Sequence, residues 1–91
     1  MAQYLVERYL PGIQPEQLAA AAGSAKSTTA SMTQEGTPVR YLRSTFIPGE
    51  EKCYCLFEGP SADVVKLAND RAQLPYERIV EAMHLASEDL H

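Results

Sequence analysis

Cys53 and Cys55 flank one tyrosine in the stretch EKCYCLFEG, and they are the only cysteines of the chain. Thiols so placed could clasp a metal, form a disulfide, react as a pair, or line a core as small apolar groups. Alternate residues of a strand share a face, with Cα atoms about 6.5–7 Å apart, which is poor geometry for a disulfide. A lone C-x-C lacks the second half of a zinc or iron–sulfur signature, where four ligands are the rule. Free cysteine is among the most buried residue types, so core lining is the reading the spacing favours.

The two imidazoles, His84 and His91, lie near the C-terminal end with Glu88 and Asp89 between them. Histidine with carboxylates is suitable chemistry for Ni²⁺, Zn²⁺ or Cu²⁺ at a surface. The spacing matches no closed site, and a solvated histidine beside a charged tail explains it equally. Glu7 and Glu81 form a second pair of interest, each expected near the middle of a strand. Were those strands neighbours, two like charges side by side would need a compensating arginine (Arg43 or Arg8), a metal ion or a shared proton. With Tyr9, Tyr41 and Tyr54 nearby they would offer acid/base groups for an enzyme acting on a small organic substrate. No nucleophile elbow, phosphate loop or dinucleotide fingerprint is present.

What must position these groups is a single short domain. The 91 residues are 45% apolar and 22% charged, a composition that argues for a globular fold. The net charge of −4 disfavours nucleic acid as a partner. No apolar run approaches the roughly 18 residues of a membrane span. The opening MAQYLVERYL carries Glu7 and Arg8 where a signal peptide would be apolar, so a cytoplasmic setting is expected, with both cysteines as thiols.

Aromatic and branched residues mark strands at 3–10, 39–47, 53–58 and 78–85, separated by proline- and glycine-bearing turns. Pro15 and Glu16 open a helix whose stripe is Leu18, Ala22, Ala25, Thr29 and Met32, and Gly36 with Pro38 ends it. Ser61 caps a second helix bearing Val65, Ala68 and Ala72, closed at Leu74–Pro75. The order is βαββαβ: an α+β, ferredoxin-like domain over residues 1–85, with two helices on one face of a four-stranded antiparallel sheet. Residues 86–91 are a short polar tail. Alternation assigns Tyr4, Val6, Cys53, Cys55, Phe57, Val80 and Ala82 to the helix-covered face. It assigns Leu5, Glu7, Tyr9, Tyr54, Leu56, Glu58, Ile79, Glu81 and Met83 to the open one. So apolar an open face is expected to meet a second copy as a two-fold dimer, in a dimeric α/β barrel-type assembly.

The stretches YLVERYLPG, GTPVRYLRSTFIPGEEKCYCLFEGPSADVV and ANDRAQLPYERIVEAMHL, from Tyr4 to about Leu85, resemble a family of small bacterial proteins. That family, formerly of unknown function, includes the nickel-binding, nickel-responsive protein of streptomycetes. The matching positions include Arg43–Phe46, Cys53–Glu58, Asn69, Ala72 and Pro75. The resemblance implies a ferredoxin-like homodimer that binds nickel at its surface, with a role in nickel sequestration or detoxification. His84, Glu88, Asp89 and His91 are then the expected ligands, for Ni²⁺ or another divalent transition metal. An enzyme using Glu7, Glu81 and Tyr9, and a non-catalytic dimeric interaction module, are the competing readings.

Overall fold

The computed structural model of the chain describes residues 1–90. Its elements are β1 (Ala2–Tyr9), α1 (Pro15–Gln34), β2 (Arg40–Ile47), β3 (Lys52–Gly59), α2 (Ala62–Arg71) and β4 (Arg78–Ala82), followed by a 3-10 turn at Ser87–Asp89. The four strands form one antiparallel sheet in the order β2-β3-β1-β4. This is the expected α+β, βαββαβ architecture, with the first and third strands at its centre. β4 ends three residues earlier than the sequence pattern suggests. Among the described residues no helix is long and apolar enough to cross a membrane.

Both helices close on the same device, which fixes where the chain goes next. At the end of α1 the Gly36 N–H donates to Thr33 O and the Thr37 N–H to Met32 O, with Gly36 at φ 102°. A positive φ costs glycine nothing, and the two bonds satisfy carbonyls that the helix end would orphan. At the end of α2 the Gln73 and Leu74 N–H groups donate to Asp70 O and Asn69 O. Here Gln73 takes the left-handed position, at φ 59°. This closure turns Leu74–Pro75 back towards β1. At the other end of α2, Ser61 Oγ accepts the Val64 N–H at 3.3 Å, the cap its sequence promised.

The core lies between the helices and one face of the sheet. Val6, Cys53, Cys55 and Phe57 from the central strands meet Ala25 and Met32 of α1 and Val65 and Ala68 of α2. The small residues of the α1 stripe let that helix approach the sheet closely. Phe57 packs edge-on against Tyr41, with ring centroids 5.6 Å apart.

The register corrects the assignment of β4. Tyr4 pairs with Glu81, Val6 with Ile79, and Glu7 with Arg78. Directly paired residues of a sheet point to the same side. Ile79 and Glu81 therefore lie on the helix side, and Val80 and Ala82 on the open side, the reverse of the alternation reading. A one-residue slip in a strand exchanges its two faces, and β4 is too evenly mixed in polarity to reveal its register. The open face thus carries, in successive rows across the sheet, Arg43–Leu56–Leu5–Val80 and Thr45–Tyr54–Glu7–Arg78.

Candidate functional site

Glu7 and Glu81 do not form a pair. They point to opposite faces, so the acid/base couple expected from sequence is not assembled. Glu7 is nearly buried, at 8% exposure. Its Oε1 accepts from Lys52 Nζ at 2.9 Å and its Oε2 from Arg78 Nε at 2.6 Å. Neither Arg43 nor Arg8 compensates it. The hydrogen bond from Lys52, then that from Arg78, holds the Glu7 carboxyl below its ordinary value of 4.5. A carboxylate so fixed in its ionised form is a structural clasp between β1, β3 and β4. Tyr9 lies beyond the clasp, exposed at the end of β1.

The sign of the resulting pH dependence follows from linkage. A depressed folded-state value stabilises the fold above the unfolded value and loses that contribution as pH falls through the folded one. Glu7→Gln is therefore expected to lower the melting temperature at pH 7, with the difference from wild type shrinking as pH drops below about 4.5. Paired thermal melts from pH 7 to pH 3 measure this. A difference that holds constant across the range would contradict the assignment.

The open face also carries a concavity of about 370 Å³, lined among others by Leu5, Arg43, Tyr54, Leu56, Met83 and His84. A bulge in β2 shapes it. The pairing jumps from Tyr41↔Phe57 to Arg43↔Leu56, so Leu42 is the extra residue. The bulge turns Arg43 to the open side and Ser44 to the helix side, where strict alternation would have done the opposite. After β4 the chain brings His84 over this face to meet Arg43. The guanidinium Nη2 lies 2.8 Å from His84 Nδ1 and 2.9 Å from Nε2. The amino group lies against the ring, close to both nitrogens, only one of which can accept from it in the neutral imidazole, and it sets a positive charge beside the candidate ligand.

The other expected ligands do not join His84. Asp89 Oδ2 accepts the backbone N–H of Ala86 within its own turn, and Glu88 contacts Ser87. His91 lies outside the described residues. Among the described residues no group of three or more His, Cys, Asp and Glu side chains is gathered for a metal ion. The described residues of one chain do not gather a closed site for a resident nickel ion.

A third constellation lies on the helix side, and most of it was not expected. Arg8 is 2% exposed. Its Nη2 donates to Asn69 Oδ1 at 2.6 Å, its Nη1 to Pro75 O at 3.0 Å, and its Nε to Cys55 Sγ at 3.4 Å. Asn69 is itself held by donating to Val65 O within α2. On the other side of Cys55, Ser44 Oγ lies 3.0 Å from Sγ and Tyr41 Oη lies 2.7 Å from Ser44 Oγ. Cys53 Sγ stands 3.7 Å from Cys55 Sγ. Both thiols are free and buried, as expected for core residues. Burial, and then the neighbouring Cys55, push the Cys53 thiol up to about 11. The signal for this network was an arginine at a position of β1 that alternates with Tyr4 and Val6.

A family profile for the nickel responsive protein SCO4226-like proteins matches residues 4–82. The chain belongs to this family. The crystal structure of SCO4226 from Streptomyces coelicolor A3(2) superposes with a TM-score of 0.78 at 27% sequence identity, covering 93% of this chain and 100% of that one. No curated protein sequence matches the chain.

Proposed function

We propose that this protein binds nickel, or a similar divalent transition metal, as cargo, and serves in its sequestration or detoxification. Membership of a nickel-responsive family supports a nickel-related role. The observation that carries the binding reading is His84. It is exposed, and it lines an open-face concavity bounded by flexible side chains. Imidazole nitrogen is a favoured ligand for Ni²⁺. The remaining ligands come from water, from the carboxylates of Glu88 and Asp89 after local rearrangement, or from a second subunit. Such an open, incompletely coordinated site suits reversible uptake better than permanent retention. Equilibrium dialysis of chelator-treated protein against Ni²⁺ tests the proposal: saturable uptake supports it, and uptake no greater than that of an unrelated acidic protein contradicts it.

The same face supports a homodimer in the manner of a dimeric α/β barrel. Leu5, Tyr54 and Leu56 lie on it, and Val80 and Met83 are exposed among large apolar residues. An apolar sheet face of this kind is usually covered. Light scattering is expected to give twice the monomer mass, and Val80→Arg to reduce it towards the monomer. A monomer at high concentration would remove this part of the account. A cytoplasmic setting is consistent with the reduced thiols.

A further inference from the structure

The Arg8 network poses a question that packing does not answer. A buried guanidinium is costly unless its charge is compensated, and among the described residues no carboxylate bonds to it. Its partners are an amide oxygen, a carbonyl oxygen and a thiol. The C-terminal end of α2 contributes only partial negative charge from its dipole. The groups next to Arg8 that can carry a full negative charge are the two thiols, of which Cys55 receives its Nε–H. Negative charge forming on the cysteine pair would meet the Nε–H of Arg8 and the hydroxyl of Ser44 at Cys55. Arg8 also stands beside Cys53 across the β1–β3 pairing, but its Nε–H is directed to Cys55 Sγ.

The two thiols also line a small cavity with Leu10, Leu18, Ala21, Ala22 and Ala25. Its volume of about 10 Å³ is room for one water-sized molecule. From Cys55 the hydroxyls of Ser44 and Tyr41 form a chain towards the half-buried edge of the sheet, a route by which the thiol proton can move.

We propose that Cys55 is a site of oxidation by hydrogen peroxide, giving a sulfenic acid held by Arg8 and Ser44. In the step, Cys55 Sγ forms a bond to one peroxide oxygen as the O–O bond breaks. The sulfur loses two electrons and the peroxide gains them. The second oxygen leaves as hydroxide, takes the proton released by the thiol, and departs as water. Peroxide, with two oxygens, needs the cavity to widen slightly between the half-buried side chains of Leu10, Leu18 and Leu74, whereas bulkier alkylating reagents need a far larger opening. Strand geometry holds the two sulfurs 3.7 Å apart and opposes their closure to a disulfide. This inference is independent of the nickel reading.

The test is intact-mass analysis of the native protein after stepwise addition of hydrogen peroxide, with peptide mapping after denaturing quench. The expected result is one added oxygen on Cys55, while iodoacetamide leaves the folded protein unmodified. Cys55→Ala is expected to lose the reaction and Cys53→Ala to keep it. Ser44→Ala and Arg8→Lys, both checked for folding by circular dichroism, are expected to slow it by about tenfold. Four results overturn the proposal: no uptake by the folded protein, equal uptake in Cys55→Ala, unchanged rates in both folded variants, or a Cys53–Cys55 disulfide as the product.

Discussion

Replacing Arg8 with alanine is expected to destabilise the protein by about 3–5 kcal/mol, the largest effect of any single polar substitution in the chain. Asn69 Oδ1 and Pro75 O both accept from the Arg8 guanidinium; the former would be left buried without a donor, at about 1–3 kcal/mol, and the latter would lose a part-buried bond. The missing side chain would also leave a void among Leu10, Leu74, Cys53 and Cys55, which line the adjacent cavity. A domain of this size shifts its melting temperature by about 4–8 °C per kcal/mol, so thermal melts resolve the effect easily. Arg8→Met provides the control. It fills most of the volume and removes a charge that has no ionic partner, so it is expected to cost about half as much. Destabilisation below about 1 kcal/mol by Arg8→Ala would show that the network does not hold β1 to α2.

The second large effect concerns metal affinity. His84→Ala is expected to weaken Ni²⁺ binding by at least about tenfold, since even the partners that orient a ligand are worth 10–100-fold. Arg43→Ala is expected to act in the opposite direction. The Arg43 guanidinium lies against the His84 ring, where it can donate to the acceptor nitrogen and repels an approaching cation. Binding must first break this contact, and an exposed pair of this kind costs about 0.2–1 kcal/mol to separate. Removing the guanidinium therefore should tighten Ni²⁺ binding by a factor of about two to five. Few structural side effects produce opposite signs at two neighbouring exposed positions, so the pair tests ligation more sharply than either variant alone.

Much of the fold was legible because its signals are local. The Pro15 start of α1, the Ser61 cap of α2 and the proline- and glycine-bearing turns each act within a few residues, and all stand as expected. The central strands were legible in their facing as well, since Val6, Cys53, Cys55 and Phe57 are buried and alternate with more polar neighbours. β4 was not, because RIVEA offers no apolar alternation to choose between registers. The bulge at Leu42 was hidden for a related reason: an inserted residue exchanges the faces of all that follow it, and RYLRSTFI reads equally well either way. The facing of Arg43 and Ser44 depends on that one residue.

The candidate sites were less legible than the fold because they depend on pairing across the sheet. Glu7 draws Lys52 from β3 and Arg78 from β4, partners 45 and 71 residues away. Arg8 reads in sequence as a polar residue near a strand end. Its burial becomes evident only when the closure of α2 brings Asn69 and Pro75 above it. Ser44, Cys55, Asn69 and Pro75 all lie at positions that carried the family resemblance, and the structure brings them together around Arg8. The resemblance therefore pointed to the right residues without revealing that they share one network. His84 is exposed, as a surface imidazole near the end of the last strand would be, while its contact with Arg43 depends on the bulge and on the path of the chain beyond β4.

The central claim is that His84 on the open sheet face takes up nickel as cargo. Calorimetric titration of chelator-stripped wild-type, His84→Ala and Arg43→Ala protein with Ni²⁺ at neutral pH tests it most directly. The account requires saturable binding to the wild type, at least about tenfold weaker binding to His84→Ala, and tighter binding to Arg43→Ala. Equal binding by all three proteins, or none by the wild type, would contradict it.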